Sequence, residues 1–191
     1  MGKLTGKEIL RQMELGHIEI DPFDKSRINP NSYNVRLAPE LLVYKPNITS
    51  YITGKKYVEL DAHKKNETES LMIPENGLIL CPNTLYLGRT VERTYTDKYV
   101  PMIDGRSSTG RLGMLIHATA GFGDVGFNGT WTLEIFVVHP LRIYPYDEIG
   151  QVSFETLEGD ASYQYNGRYN NQQDVTASRF YMDKQGEYKD E

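Results

Sequence analysis

Residues 121–138 read GFGDVGFNGTWTLEIFVV. Gly121, Gly123 and Gly126 fit the spacing G-x-G-x-x-G, which has force as a dinucleotide fingerprint only between a strand and a helix. Beyond these glycines the chain enters Trp131 to Val138, a run of β-branched and aromatic residues with Glu134 as its one charge. That run predicts a strand, so the dinucleotide reading fails. Upstream, Gly105 to Gly110 has the spacing of a phosphate-binding loop. Arg111 and Leu112, however, stand where the loop needs a lysine and a hydroxyl for magnesium.

Working outward, short β-prone runs broken by Pro, Gly and Asn fill most of the chain. They are HIEI, SYNVRLAPELLVY, YVEL, GLILCPNTLYLGRTV, YVPMI, MLIHA, LRIYP and IGQVSFETL. This pattern predicts a mainly β chain, a sandwich or jelly roll. One helix is expected first: Thr5-Gly6-Lys7-Glu8 reads as a capping box, Ile9, Leu10 and Met13 as its apolar stripe, and Gly16 as its stop. Residues 55–70, KKYVELDAHKKNETES, read as a polar surface loop. Residues 1–191 are expected to form one domain, with about 165–191 as a flexible tail or lid.

Composition excludes several classes. Cys81 is the single cysteine, so there is no disulfide framework and no thiolate metal cluster, and a reducing cytoplasm fits best. No apolar run approaches 18 residues and the N-terminus lacks a signal-peptide core, which predicts a soluble, cytoplasmic chain without a membrane partner. The net charge is −5 with scattered lysines, which argues against nucleic acid. Any bound phosphate would be a small anion held by a few placed arginines.

Between Gly105 and Glu134 lie seven of the 17 glycines and four charges: Arg106, Arg111, Asp124 and Glu134. Arg106-Ser107-Ser108-Thr109-Gly110-Arg111 reads as a polar turn whose hydroxyls, amides and guanidiniums suit a phosphate. The alternative is a tight hairpin whose arginines pair with surface carboxylates. Asp124 sits among glycines, where backbone approaches a ligand closely, or is an ordinary turn aspartate. Glu134, in an apolar strand, is an edge charge or a buried carboxylate suited to moving protons. His117 reads as a catalytic histidine or, in preference, a hydrogen-bonded structural one, and His17, His63 and His139 lack ligand spacing. His17-Ile18-Glu19 matches half of the zinc deaminase signature, but one cysteine cannot supply the other half.

Together GRSSTGRLG, HATAGFGDVGFNG and TLE resemble the dCTP deaminase family, within the dUTPase-like superfamily. Ile28 to Leu37, IGQVSFETL and YNGRYNNQQ extend the resemblance over nearly the whole chain. It implies a distorted β-barrel or jelly roll of the dUTPase-like (β-clip) type, assembled as a homotrimer with active sites between subunits. It also implies dCTP as substrate, dUTP and dTTP as further ligands, Mg2+ carried on the triphosphate, and no zinc. By the resemblance Arg106, Ser107, Ser108, Thr109, Gly110 and Arg111 lie along the nucleotide. Glu134 is the proton shuttle, and Ser107 and Arg111 support the attacking water and the pyrimidine. Asp124 faces the sugar and phosphates, while Thr132 and Leu133 present backbone to the base. Gln151, Tyr165, Arg168 and Gln172 contact the triphosphate.

Three positions depart from the family pattern: Asn34 for an aspartate, Ala38 for a glycine, and Arg168 for a lysine. Thr119-Ala120-Gly121-Phe122 is similar to members that also cleave the triphosphate and release dUMP. Two rival readings are a dUTPase without deaminase activity and a non-catalytic nucleotide-binding β-module. The glycine-poor tail argues against the first, and Ser107, Arg111, Asp124 and Glu134 together argue against the second.

Overall fold

The computed structural model describes residues 2–117 and 119–185. Helix α1 spans Gly6–Glu14 and is followed by strands β1 (Ile18–Asp21), β2 (Tyr33–Arg36), β3 (Glu40–Tyr44), β4 (Ile48–Thr49), β5 (Lys56–Tyr57) and β6 (Thr68–Met72). Next come β7 (Leu78–Leu80), β8 (Tyr86–Thr96), β9 (Tyr99–Gly105), helix α2 (Ser107–Arg111) and β10 (Met114–Leu115). The chain continues through β11 (Asn128–Val137), β12 (Leu141–Ile143), β13 (Glu148–Thr156) and helix α3 (Met182–Gln185).

Helix α1 starts where the sequence places it: the Thr5 hydroxyl accepts from the Glu8 amide at 3.3 Å. Only half of the capping box forms, because the Glu8 carboxylate turns to Arg11 and Gln12 instead. Gly16, at φ 79°, lets the chain leave the helix. The arm RSSTGR is a helical turn, α2, not the bare turn or hairpin expected. Thr109 explains the difference: its hydroxyl accepts from the Arg106 amide and donates to the Arg106 carbonyl, closing the turn locally.

All strand pairs are antiparallel. The largest sheet runs β10-β11-β8-β3-β6, with β1 also paired to β8, and a second runs β2-β13-β9. One cluster of buried side chains draws on both sheets, including Leu133 and Ile135 of β11, Val152 and Phe154 of β13, and Tyr33 and Val35 of β2. This is the mainly β architecture that the alternating runs predict. Of the polar loop at 55–70, only β5 and the start of β6 are strand, and Cys81 is exposed and free.

Strand β8 alternates as a buried strand should, but its inward residues are Thr90, Glu92, Thr94 and Thr96. Three of them meet partners that fix the strand in place. β11 bulges between Thr130 and Thr132, which takes the Trp131 amide out of the ladder; the Thr90 hydroxyl accepts from it at 2.9 Å. The Thr94 hydroxyl accepts from the Trp131 indole at 2.9 Å. Glu92 is fully buried and accepts from the Arg36 amide at 2.8 Å and from Arg36 Nε at 2.7 Å, with Arg27 at 3.6 Å. Breaking a buried ion pair from one side strands the other charge. Glu92→Gln is therefore expected to lower stability by about 3 kcal/mol, measured as a shift in urea midpoint at constant slope.

Candidate active site

Along β11 the side chains divide by parity. Leu133, Ile135 and Val137 are buried in the core, while Thr132, Glu134 and Phe136 face a cavity of about 670 Å³. That is within the range of small-molecule sites, about 300–1,000 Å³. Leu87, opposite Glu134 in the β8–β11 ladder, and Tyr44 from β3 extend the same wall. Asp124, Phe122 and Trp131 line another side, and the tail residues Tyr165, Tyr169, Gln172 and Ser178 complete it. Among the described residues no lysine or arginine lines this cavity.

Glu134 is not at a sheet edge, because β11 lies between β10 and β8. Nor is it buried: 35% of its side chain is exposed, and it opens into the cavity. His117 packs beside it with only 8% of its side chain exposed. The ring donates from Nε2 to the Ala120 carbonyl at 2.5 Å, in keeping with a hydrogen-bonded histidine. Its Nδ1 lies 4.0 Å from Glu134 Oε2 and has no hydrogen-bond partner among the described residues.

The expected site residues thus separate within one chain. Asp124, Thr132, Glu134, Tyr165 and Gln172 surround the cavity. Leu133 is fully buried and paired with Gly88 in the β8–β11 ladder, so it does not reach the cavity. Arg106, Ser107, Ser108, Thr109, Gly110 and Arg111 form α2 and its cap, and none of them lines the cavity. Ser107 and Arg111 are exposed. Arg106 is held by the Glu148 carboxylate at 2.9 Å and the Glu148 carbonyl at 3.0 Å. Gln151 sits beneath this arm, donating to the Gly105 carbonyl and accepting from Ser32.

Asn34 belongs to the same corner. Its Oδ1 accepts from Asn29 at 2.7 Å and its Nδ2 donates to Glu148 at 2.9 Å. An aspartate here would set a second carboxylate against Glu148, so the amide suits a buried contact that a charge would oppose.

The tail reaches the cavity by hydrogen bonds to β11 that use both main chain and side chains. Gln172 carbonyl accepts from the Thr130 amide at 3.0 Å, Gln172 Nε2 donates to the Thr130 carbonyl at 2.6 Å, and the Thr176 amide donates to Thr132 Oγ1 at 3.3 Å. Arg168, only 14% exposed, is ion-paired to Asp183 and donates to the Arg179 carbonyl, so it too lies off the cavity lining. Residues 186–191 of the expected lid lie outside the described residues. Two glycines of the GFGDVGFNG run make this docking feasible. A Cβ on Gly126, whose φ is 92°, would meet Gln164 Cβ at 2.7 Å, and one on Gly129 would meet the Gln172 carbonyl at 2.8 Å. The close approach these glycines permit is by the tail itself.

Sequence reasoning missed Tyr44, Leu87, Phe136 and Tyr169. Phe136 was accessible through the period of two from Glu134. Tyr44 and Leu87 needed the order of strands in the sheet, which no local pattern carries.

Among the described residues no set of three His, Cys, Asp or Glu side chains gathers to hold a metal ion, and no helix is long and apolar enough to cross a membrane. A family model described as dCTP deaminase-like matches residues 3–157. A Clostridium botulinum (strain Alaska E43 / Type E3) protein named dCTP deaminase, dUMP-forming, is 53% identical over 180 residues, covering 94% of this chain and 97% of that protein. Proteins of the same name from Hathewaya histolytica and Leptospira biflexa serovar Patoc are 49% and 50% identical, each over 94% of this chain and at least 97% of its partner. In structure, the chain is similar to the 2'-deoxycytidine 5'-triphosphate deaminase of Agrobacterium tumefaciens, with a TM-score of 0.60 at 17% identity. That match covers 82% of this chain and 48% of the other, and speaks for the fold.

Tail docking yields a direct test. Gly129→Ala is expected to cost about 1 kcal/mol of docking and to expose Arg168 and Arg179 to trypsin roughly fivefold faster. Proteolysis followed by mass spectrometry reads it, with cleavage elsewhere unchanged.

Proposed function

This chain belongs to the dCTP deaminase family, and from that membership we infer its chemistry: it is a dUMP-forming dCTP deaminase. One water replaces the cytosine amino group, giving ammonia and a uracil ring, and a second cleaves the triphosphate, giving dUMP and pyrophosphate. The observation that carries the residue assignment is Glu134, the carboxylate that β11 turns out of its core face into a cavity otherwise lined largely by apolar and hydroxyl groups.

In the first step Glu134 takes a proton from water as its oxygen bonds to C4 of the ring. It hands that proton to N3, takes the proton of the new C4 hydroxyl, and passes it to the amino group, which departs as ammonia while C4 becomes a carbonyl. Thr132 holds the base edge, and Phe136, Leu87 and Tyr44 supply apolar surface beside it. Asp124, on the cavity's rim, orients the second water toward the α-phosphate. Gln172 and Tyr165 bring the tail over the nucleotide.

Such a cavity, with two carboxylates and no lysine or arginine among the described residues lining it, opposes a polyanion. The positive charge must come from elsewhere, and Arg106 and Arg111 stand on an arm outside it. A homotrimer resolves this, the partner subunit's Arg111 and the partner subunit's Ser107 entering the cavity to meet phosphate and attacking water. Mg2+ carried in on the substrate would be held by triphosphate oxygens and water. When bound, it supplies neutralisation of the leaving pyrophosphate.

Three outcomes test this assignment. Glu134→Gln should slow ammonia release from dCTP by at least about 10²-fold while still releasing pyrophosphate from added dUTP. Retention of more than about a tenth of wild-type deamination would remove Glu134 from its role. Co-expressing Glu134→Gln with Arg111→Ala should restore about a quarter of wild-type activity, the fraction of shared sites in a random trimer that receive both native residues. No recovery over the separate variants would mean that each subunit works alone. Chelation with EDTA should stop turnover, and added Mg2+ should return it.

A further inference from the structure

We propose that His117 positions Glu134 during deamination by accepting, at Nδ1, a hydrogen bond from the carboxyl once it has taken the water's proton. The inference rests on Glu134 being the proton shuttle, and goes beyond that assignment.

Hydrogen-bond roles on the ring follow from its neighbours. A carbonyl oxygen only accepts, so the 2.5 Å contact to Ala120 fixes the proton on Nε2. In the neutral ring Nδ1 then carries a lone pair and no hydrogen. That nitrogen is buried, has no partner among the described residues, and faces Glu134 Oε2 across 4.0 Å. An unsatisfied polar atom at such depth is costly, and a native fold keeps it where something is to fill the role.

An ionised Glu134 offers only lone pairs to Nδ1, which has the same, so the two atoms stand apart. A protonated Glu134 is a donor. Its O–H would close to about 2.7 Å of Nδ1, a movement of roughly 1 Å of the kind that catalytic hydrogen bonds make as a site fills. Each proton taken from the water then rests on a carboxyl whose direction is fixed, and leaves from there, the first to N3 and the second to the departing amino group. His117 takes up no net proton. Through Nε2 the same ring holds the Ala120 carbonyl, so His117 joins the Thr119–Gly123 part of the cavity wall to the shuttle on β11.

Two substitutions separate the two nitrogens. Asparagine carries its amide at the place of Nδ1, and glutamine carries its amide at the place of Nε2. His117→Asn therefore keeps an acceptor for Glu134, whereas His117→Gln keeps a donor for Ala120. We expect His117→Gln to lower kcat for ammonia release by roughly 10- to 10²-fold, the scale of a misplaced catalytic group, with KM for dCTP unchanged. His117→Asn should stay within about threefold of wild type, consistent with one retained hydrogen bond. Pyrophosphate release from dUTP, which does not use the shuttle, should be unchanged in both. The proposal is overturned if His117→Asn is no better than His117→Gln, if His117→Gln deaminates normally, or if dUTP cleavage falls in parallel with deamination. The last result would make His117 a holder of the cavity wall alone. Glu134→Gln, assayed alongside, separates the proposals: if it deaminates, the shuttle assignment itself has failed.

Discussion

The pairing of β11 with β8 governs everything the cavity presents. Side chains alternate along a strand with a period of two, so a slip of one residue would turn Glu134 into the core and Leu133 or Ile135 out to the cavity. Several features resist that slip together. The β8–β11 ladder runs from Asn128 to Ile135 and is interrupted by a bulge between Thr130 and Thr132. At that bulge Thr90 and Thr94 capture both nitrogens of Trp131, which tolerates no shift without stranding them. The polar inward face of β8 is thus a register device, and Glu92 with Arg36 ties the same strand to β2.

Charge is partitioned to match. The cavity keeps its carboxylates, the arm at α2 keeps its arginines, and Arg106 is restrained by Glu148, which also receives Asn34. Such separation keeps a chain's own Arg106 from pairing with its own Glu134 and Asp124. Tail docking obeys a different rule. It joins main-chain and side-chain bonds to Thr130 and Thr132 with close approach at Gly126 and Gly129, so it depends on the shape of the glycine run as well as on Gln172.

Much of this was legible in the sequence. The alternation in Trp131–Val138 marks β11 and singles out Glu134, and the capping pattern at Thr5 marks α1. What remained hidden is relational. Thr109 closes α2 through hydroxyl bonds that a turn reading of RSSTGR does not anticipate. Periodicity marks β8 as a strand, but an inward row of threonines with a glutamate contradicts the rule that inward means apolar. Only the bulge opposite explains it. Nor does sequence tell which surface a motif occupies: Arg106–Arg111 and Glu134 belong to one motif set, yet the fold gives them separate surfaces. His117 was readable as a bonded histidine, but not that one of its nitrogens is left facing Glu134.

Trp131 is the single tryptophan of the chain. It lines the cavity with only 6% of its surface exposed, its ring lies 5.1 Å from that of Phe127, and Phe127 lies 6.1 Å from Tyr165 of the tail. An aromatic relay therefore runs from the tail to one chromophore beside the substrate space. Excited at the red edge of its absorption, where tyrosine is dark, that indole reports on its surroundings without competition from another tryptophan. The fold has in effect placed a native optical probe where tail and nucleotide meet, so closure can be timed in unlabelled protein.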